Sequence, residues 1–131
     1  MTYLLDTNAW IHLFSLPTAI SASARKALST ETEFALATIS LVEVCQKEAT
    51  GKLHFRSSLS HWLEKALPDN QVRLLAITPE IAREAYALGP GFHKDPADRL
   101  IVATVRIHGL TLVTSDQKLI GFKGVNTLST R

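Results

Sequence analysis

Tyr3-Leu4-Leu5-Asp6-Thr7-Asn8 decides how this chain folds, because a short apolar run stops at an acidic turn and a helix-like segment, Ala9 to Phe14, follows before Leu16-Pro17 breaks it. Strand, acidic turn and helix in that order recur along the chain. Ser21 is placed to cap a helix through about Leu28, after which Phe34-Ala35-Leu36-Ala37 reads as a second buried strand. Ser40 opens a helix to about Thr50, stopped by Gly51, with Leu41, Val42, Val44, Cys45 and Ala49 as its apolar side. Phe55 to Leu67 has Leu59, Trp62, Leu63 and Ala66 at helical spacing, and Pro68-Asp69-Asn70 closes it before a strand candidate at Val72 to Ile77.

The second half keeps the rhythm. Thr78-Pro79-Glu80 is an N-cap followed by proline at the first helical position, predicting a helix through about Leu88 that Gly89-Pro90-Gly91 ends. Asp95-Pro96 repeats that start for a helix from Pro96 to Ile107, Gly109 stops it, and Leu110 to Thr114 reads as a strand ending at Ser115-Asp116. A last short strand is expected around Val125 to Leu128. Alternating strands and helices predict an α/β fold: a mostly parallel central sheet flanked by helices in three layers, formed by residues 1–131 as one domain.

Composition narrows the class. With 46% hydrophobic and 20% charged residues in 131, the chain has enough apolar surface for one core, so general disorder is excluded. The single cysteine, Cys45, rules out an internal disulfide and Cys-rich metal sites, and points to a reducing cytoplasm. The start lacks a basic segment and meets an acid too early for a secretion signal, and no apolar stretch approaches the roughly 20 residues that span a bilayer. A cytoplasmic protein with no membrane contact is expected. The net charge of +2 is compatible with a polyanionic partner.

In a parallel sheet all strands end at one edge, and the helices that return begin there. Asp6 and Asp116 stand at predicted strand ends, and Glu43 and Asp98 in the first turns of predicted helices, so the four acids should meet along that edge. Carboxylates held together raise one another's pKa unless a cation compensates, and hard oxygen donors without thiolates select Mg2+ or Mn2+. Such an ion lowers the pKa of an attacking water and neutralises a leaving oxygen, which suits phosphodiester hydrolysis, with one acid as general base. Asn8 and the hydroxyls of Thr7, Thr114 and Ser115 are placed to support the site.

Each acid also has a structural reading. Asp6 can begin a turn, Glu43 can close a capping box on Ser40, Asp98 gains from the macrodipole of its helix, and Asp116 can cap Gln117 to Leu119. Their combination at one edge exceeds what capping requires. Asp95, before Pro96, reads as an N-cap. The histidines lack His-x-x-x-His spacing and read as surface or partly buried, with only His93 near the acids. Gly89 to Lys94 is the expected rim of the site, Arg99 is expected to pair with an acid or lie in solvent, and Trp10 and Phe14, at i and i+4, are expected in the core.

These segments resemble a known family. Leu4-Leu5-Asp6-Thr7-Asn8, Ser40-Leu41-Val42-Glu43, Asp98-Arg99-Leu100-Ile101-Val102-Ala103 and Leu112-Val113-Thr114-Ser115-Asp116 are similar, in order and spacing, to the acidic segments of PIN domains. Gly51-Lys52-Leu53 and His93-Lys94-Asp95-Pro96-Ala97-Asp98-Arg99 resemble the VapC-type toxin branch. The resemblance implies a Mg2+- or Mn2+-dependent endoribonuclease, usually a homodimer, inhibited by a cognate antitoxin. By position it makes Asp6, Glu43, Asp98 and Asp116 the acids of the site, with Asp6, Asp98 and Asp116 as metal ligands. Ala97 departs from the branch, which often has an aromatic there, and Leu119 stands where some relatives have a polar residue. The same acids would serve a PIN nuclease of cellular RNA processing, and a non-catalytic RNA- or protein-binding module is the alternative outside catalysis. Phosphotransfer is disfavoured because Asn8 carries an amide where haloacid-type sites have a second acid.

Overall fold

In the computed structural model, which describes residues 1–131, Tyr3–Leu5 (β1) is the middle of a five-stranded parallel sheet ordered β3-β2-β1-β4-β5. The other strands are Phe34–Ala37 (β2), Val72–Leu75 (β3), Thr111–Thr114 (β4) and Thr127–Ser129 (β5). Seven α-helices connect or follow them: Thr7–Ser15 (α1), Ala22–Leu28 (α2), Ile39–Ala49 (α3), Leu59–Ala66 (α4), Pro79–Ala85 (α5), Pro96–His108 (α6) and Gln117–Ile120 (α7). The expected α/β sheet with helices on both faces is the one observed. No helix is long and apolar enough to cross a membrane.

Strand alternation divides the apolar residues between two faces. Leu5 lies beside Leu36 and Val113 in the pairing register, and these three join Trp10, Val44, Trp62 and Ala66 in one core. Leu4 lies beside Ala35 and Leu112, which join Ile101, Val102, Val105 and Leu119 in the other. Leu119 is therefore a core residue, which accounts for an apolar side chain at that position. α5 packs on α6 through a smaller cluster of Ile81, Ala85 and Ala103.

Several boundaries move for local reasons. α1 starts at Thr7 rather than Ala9 because Asp6 accepts the Ala9 N–H and caps it. α4 starts at Leu59, not Phe55, because Ser58 takes the capping role, while Phe55 stays outside the helix and stacks on Trp62 at 4.5 Å. β3 ends at Leu75, where pairing to β2 stops, leaving Ile77 exposed, and β5 occupies Thr127–Ser129 rather than Val125 to Leu128. α5 ends at Ala85, short of Leu88. The apolar side assigned to α3 is corrected: its inward residues are Ser40 and Val44, whereas Val42 and Cys45 are exposed. Gly109 ends α6 in the left-handed region, φ 66°, as its place in the sequence requires.

Candidate active site

The strand order builds the site. From β1 the chain runs to β2 and β3 on one side, whereas β4 and β5 lie on the other, so β1 and β4 flank the point where strand order reverses. At such a point the connections leave in opposite directions and open a crevice at the carboxyl ends of the strands. Asp6 follows β1 directly and Asp116 follows β4 by two residues. α6, returning on the opposite face, presents Asp98 in its first turn.

Asp6 is 8% exposed and accepts the Ala9 N–H at 2.7 Å, with the Thr114 hydroxyl near enough to favour its charged form. Burial pushes its pKa upward, the bonds to Thr114 and Ala9 oppose the shift, and the charges of Glu43 and Asp116 add to it. Thr114 is fully buried, and its Oγ1 also accepts the backbone N–H of Asp116 at 3.0 Å, so one hydroxyl ties the first acid to the loop of the last. Asp116 caps α7 by accepting the Lys118 N–H at 2.9 Å.

Glu43 is not the capping-box residue that Ser40 suggested. The helix begins at Ile39, because Thr38 already has a helical conformation, and this places Glu43 in the second turn. Its Oε1 instead accepts the Thr7 hydroxyl, and Thr7 Oγ1 lies 2.9 Å from the buried Ser40 hydroxyl. Ser40 thus belongs to a chain of hydroxyls that orients Glu43, a role that its capping pattern concealed. Asn8 is exposed, and Ser115 makes its hydrogen bond through its carbonyl, which accepts from Arg131 Nε.

Asp98 is strongly perturbed. Burial, then the charges of Asp95, Glu43, Asp116 and Asp6, raise its pKa to about 7. Asp98 thus feels the charge of each of the other three candidate acids. Asp95 caps α6 through the N–H groups of Ala97 and Asp98, as expected. Arg99, by contrast, pairs with no acid: it donates to the carbonyls of Ala85 and Phe92 and lies over the Tyr86 and Phe92 rings. The one approach of a basic side chain to the four acids is His93 Nε2 to Asp98 Oδ2, 3.4 Å. Donor atoms of His93, Asp98 and Asp116 all lie within 4.8 Å of one another. His93 was near the acids in sequence but was not assigned to the site, since its partners are carboxylates and not a second histidine.

A donor set of oxygens and one imidazole nitrogen, with too little positive charge nearby, fits a divalent cation. This has a consequence for stability. An acid whose folded pKa lies near 7 and whose unfolded value is 3.8 binds more protons in the folded state between those values, so stability falls as pH rises through that window. Without metal, the melting temperature should drop by roughly 3–6 °C from pH 5 to pH 8, on the order of 1–2 kcal/mol after allowing for solvent screening of a partly exposed side chain. Millimolar Mg2+ or Mn2+ should remove most of the drop. Thermal unfolding in chelator, with and without added ion, measures both, and a melting temperature rising over that range would contradict the arrangement.

Beside the acids, a cavity of about 380 Å3 is lined by Phe92, His93, Lys118, Phe122 and Lys123, with both lysines exposed. His93 is common to the cavity and the acidic cluster.

Comparison with known proteins agrees with the fold. Residues 3–125 match the family described as PIN domain. The chain is 36% identical over 118 residues to Ribonuclease VapC22 of Mycobacterium tuberculosis, covering 90% of this chain and 89% of that protein. Solved structures with the same fold include VapBC2 from Rickettsia felis bound to a DNA fragment from their promoter, with a TM-score of 0.75, 17% identity and 100% of each chain covered. A toxin-antitoxin complex from Klebsiella pneumoniae matches with a TM-score of 0.69 and 22% identity over 100% of this chain and 98% of that one.

Proposed function

The chain belongs to the PIN-domain family, and from that membership we propose that it is a metal-dependent endoribonuclease, the toxin of a toxin-antitoxin pair, acting as a single-domain protein in the cytoplasm. The observation that supports the reading is the pair Asp98 and Asp116, whose carboxylates lie within 4.8 Å of each other at the β1–β4 crevice, with Asp6 buried at the end of β1. The toxin role rests on likeness to a named VapC ribonuclease, to a structure described as a toxin-antitoxin complex and to VapBC2, and it carries with it a cognate antitoxin and a homodimer as expected partners.

Asp6, Asp98 and Asp116 would hold Mg2+ or Mn2+, which when bound supplies Lewis acidity at the scissile phosphate and lowers the pKa of the attacking water. The rest of the chemistry falls to the chain's own groups. Thr114 holds Asp6 against the backbone of Asp116. Glu43, with Oε1 held by Thr7, offers Oε2 to take the proton released by attacking water. Lys118 and Lys123 are exposed on the adjoining cavity, in position to meet a neighbouring phosphate of the RNA.

The test is cleavage of an RNA pool by the purified protein with Mg2+ or Mn2+ and its suppression by chelator. Expression should arrest growth, and co-expression of the adjoining gene's product should relieve the arrest. Absence of cleavage in every pool would remove the nuclease reading; cleavage without growth arrest would leave the nuclease and remove the toxin. Lys118→Ala and Lys123→Ala should each weaken RNA binding and reduce the slope of log affinity against log salt by about 0.7, a loss of one phosphate contact on a single strand. An unchanged slope in both variants would place the RNA elsewhere.

A further inference from the structure

The geometry points to His93 as a ligand of the same ion: we propose that its Nε2 completes the centre with Asp98 and Asp116 and biases it toward Mn2+ over Mg2+. This rests on the metal-dependent reading above, and goes beyond it by adding a nitrogen donor to a site otherwise built from carboxylates.

Three observations converge on that nitrogen. The atom itself is buried, in a side chain that is 25% exposed, yet it has no hydrogen-bond partner, a state that is rare in folded proteins. Its nearest charged group, Asp98 Oδ2, is 3.4 Å away, beyond the 2.7–3.2 Å usual for an N–H···O bond. A ring nitrogen of His93 also lies within 4.8 Å of donor oxygens on both Asp98 and Asp116, close to the roughly 4 Å that separates opposite ligands of an ion bound at about 2.1 Å. Small side-chain adjustments bring three donors onto one ion.

The ring is held for this. His93 stacks on Phe92 with centroids 4.7 Å apart and planes at 16°, and Phe92 meets the edge of Phe122 at 5.1 Å. Phe92 is 6% exposed, so the ring stacked under His93 is itself anchored in the core. The selectivity follows from the donor type. Mg2+ prefers oxygen ligands and gives up water reluctantly, whereas an imidazole nitrogen adds more to the affinity of a transition-metal ion.

The competing account is a plain ion pair between protonated His93 and Asp98. It predicts that removing the imidazole frees Asp98 and strengthens the binding of Mg2+ and Mn2+ alike. Ligation predicts the reverse: His93→Gln should raise the Kd for Mn2+ at least about tenfold while changing that for Mg2+ by less than about threefold. Titration calorimetry of the parent, His93→Gln and His93→Ala with each ion reads this ratio. Electron spin-echo spectroscopy of the parent loaded with Mn2+ should show coupling to a nitrogen-14 nucleus that both variants lose, a readout independent of RNA cleavage. Mn2+ bound without nitrogen coupling, or a ratio unmoved in both variants, overturns the role of His93 and leaves the carboxylate site standing. Failure of the parent to bind either ion removes both.

Discussion

Asp98→Asn should lower RNA cleavage by about 10²–10⁴-fold and, in the same protein, raise the melting temperature measured without metal. The two effects share a cause. Asp98 has its pKa raised to about 7 by burial and by the charges of Asp95, Glu43, Asp116 and Asp6, so near neutral pH its ionised form is held against the preference of its surroundings. An asparagine there fills the same space without the charge, relieving the repulsion that the folded chain carries in the absence of a cation. The same exchange removes an anionic oxygen from the ion. Asp6→Asn should act in parallel on activity, because asparagine still accepts the Ala9 N–H and keeps the cap of α1. The double variant should be little less active than either single one, since groups that serve one ion act as a unit. Initial rates on a labelled RNA at saturating Mg2+, read beside melting curves in chelator, test the pair of effects. Parental rates in Asp98→Asn would end the assignment; loss of activity with a lowered melting temperature would mean that Asp98 is structural.

Capping and metal binding are not rivals in this site. Asp6 and Asp116 each accept a backbone N–H at a helix start, and Asp98 sits in the first turn of α6 behind its cap, Asp95. The backbone dipoles at such positions place partial positive charge next to the acids, which helps a chain without metal tolerate four carboxylates in one crevice. Glu43 has no such support: it lies in the second turn of α3 and is oriented by Thr7 and Ser40.

That contrast explains what could be read from the chain alone. Asp6 and Asp116 were legible because an acid after an apolar strand has a fixed place at a sheet edge, and Asp98 because Asp95-Pro96 marks where its helix begins. The capping reading of Glu43 fails although Ser40-Leu41-Val42-Glu43 satisfies that local pattern, because the hydroxyl that engages it comes from α1, 36 positions away. Arg99 was misread for a related reason: its partners are carbonyls and aromatic rings from the loop and helix before it, and no short-range charge rule includes them. Cys45 and Val42 were assigned inward by apolar character, but the sheet contacts only one flank of α3 and leaves that side in solvent. His93 depended on the fold bringing a loop onto Asp98 and Asp116.

The largest loss of stability should come from a residue remote from the chemistry. Trp10 is fully buried in α1, and its Nε1 donates at 2.8 Å to the carbonyl of Ala66, the last residue of α4. Carbonyls at a helix end lack partners within the helix, so Trp10 satisfies a group that would otherwise be stranded in the core. Trp62 does the converse, donating from α4 at 2.6 Å to the hydroxyl of Ser15, the last residue of α1, with the two indoles 4.8 Å apart. Trp10→Ala removes a large ring, leaves a cavity between the helices and orphans the Ala66 carbonyl; it should cost about 3–5 kcal/mol and lower the melting temperature by roughly 10–20 °C. Trp10→Phe keeps most of the ring and loses only the bond and part of the area, so about 1–2 kcal/mol is expected. Because α1 also carries Thr7 beside Asp6 at its start, the alanine variant should lose cleavage at the temperature where it unfolds and retain it below. Urea or thermal unfolding of both variants, with cleavage measured at matched fractions folded, tests the order of effects. If Trp10→Ala melted within about 3 °C of the parent, or the two variants were equally stable, the indole would not join α1 to α4 as described.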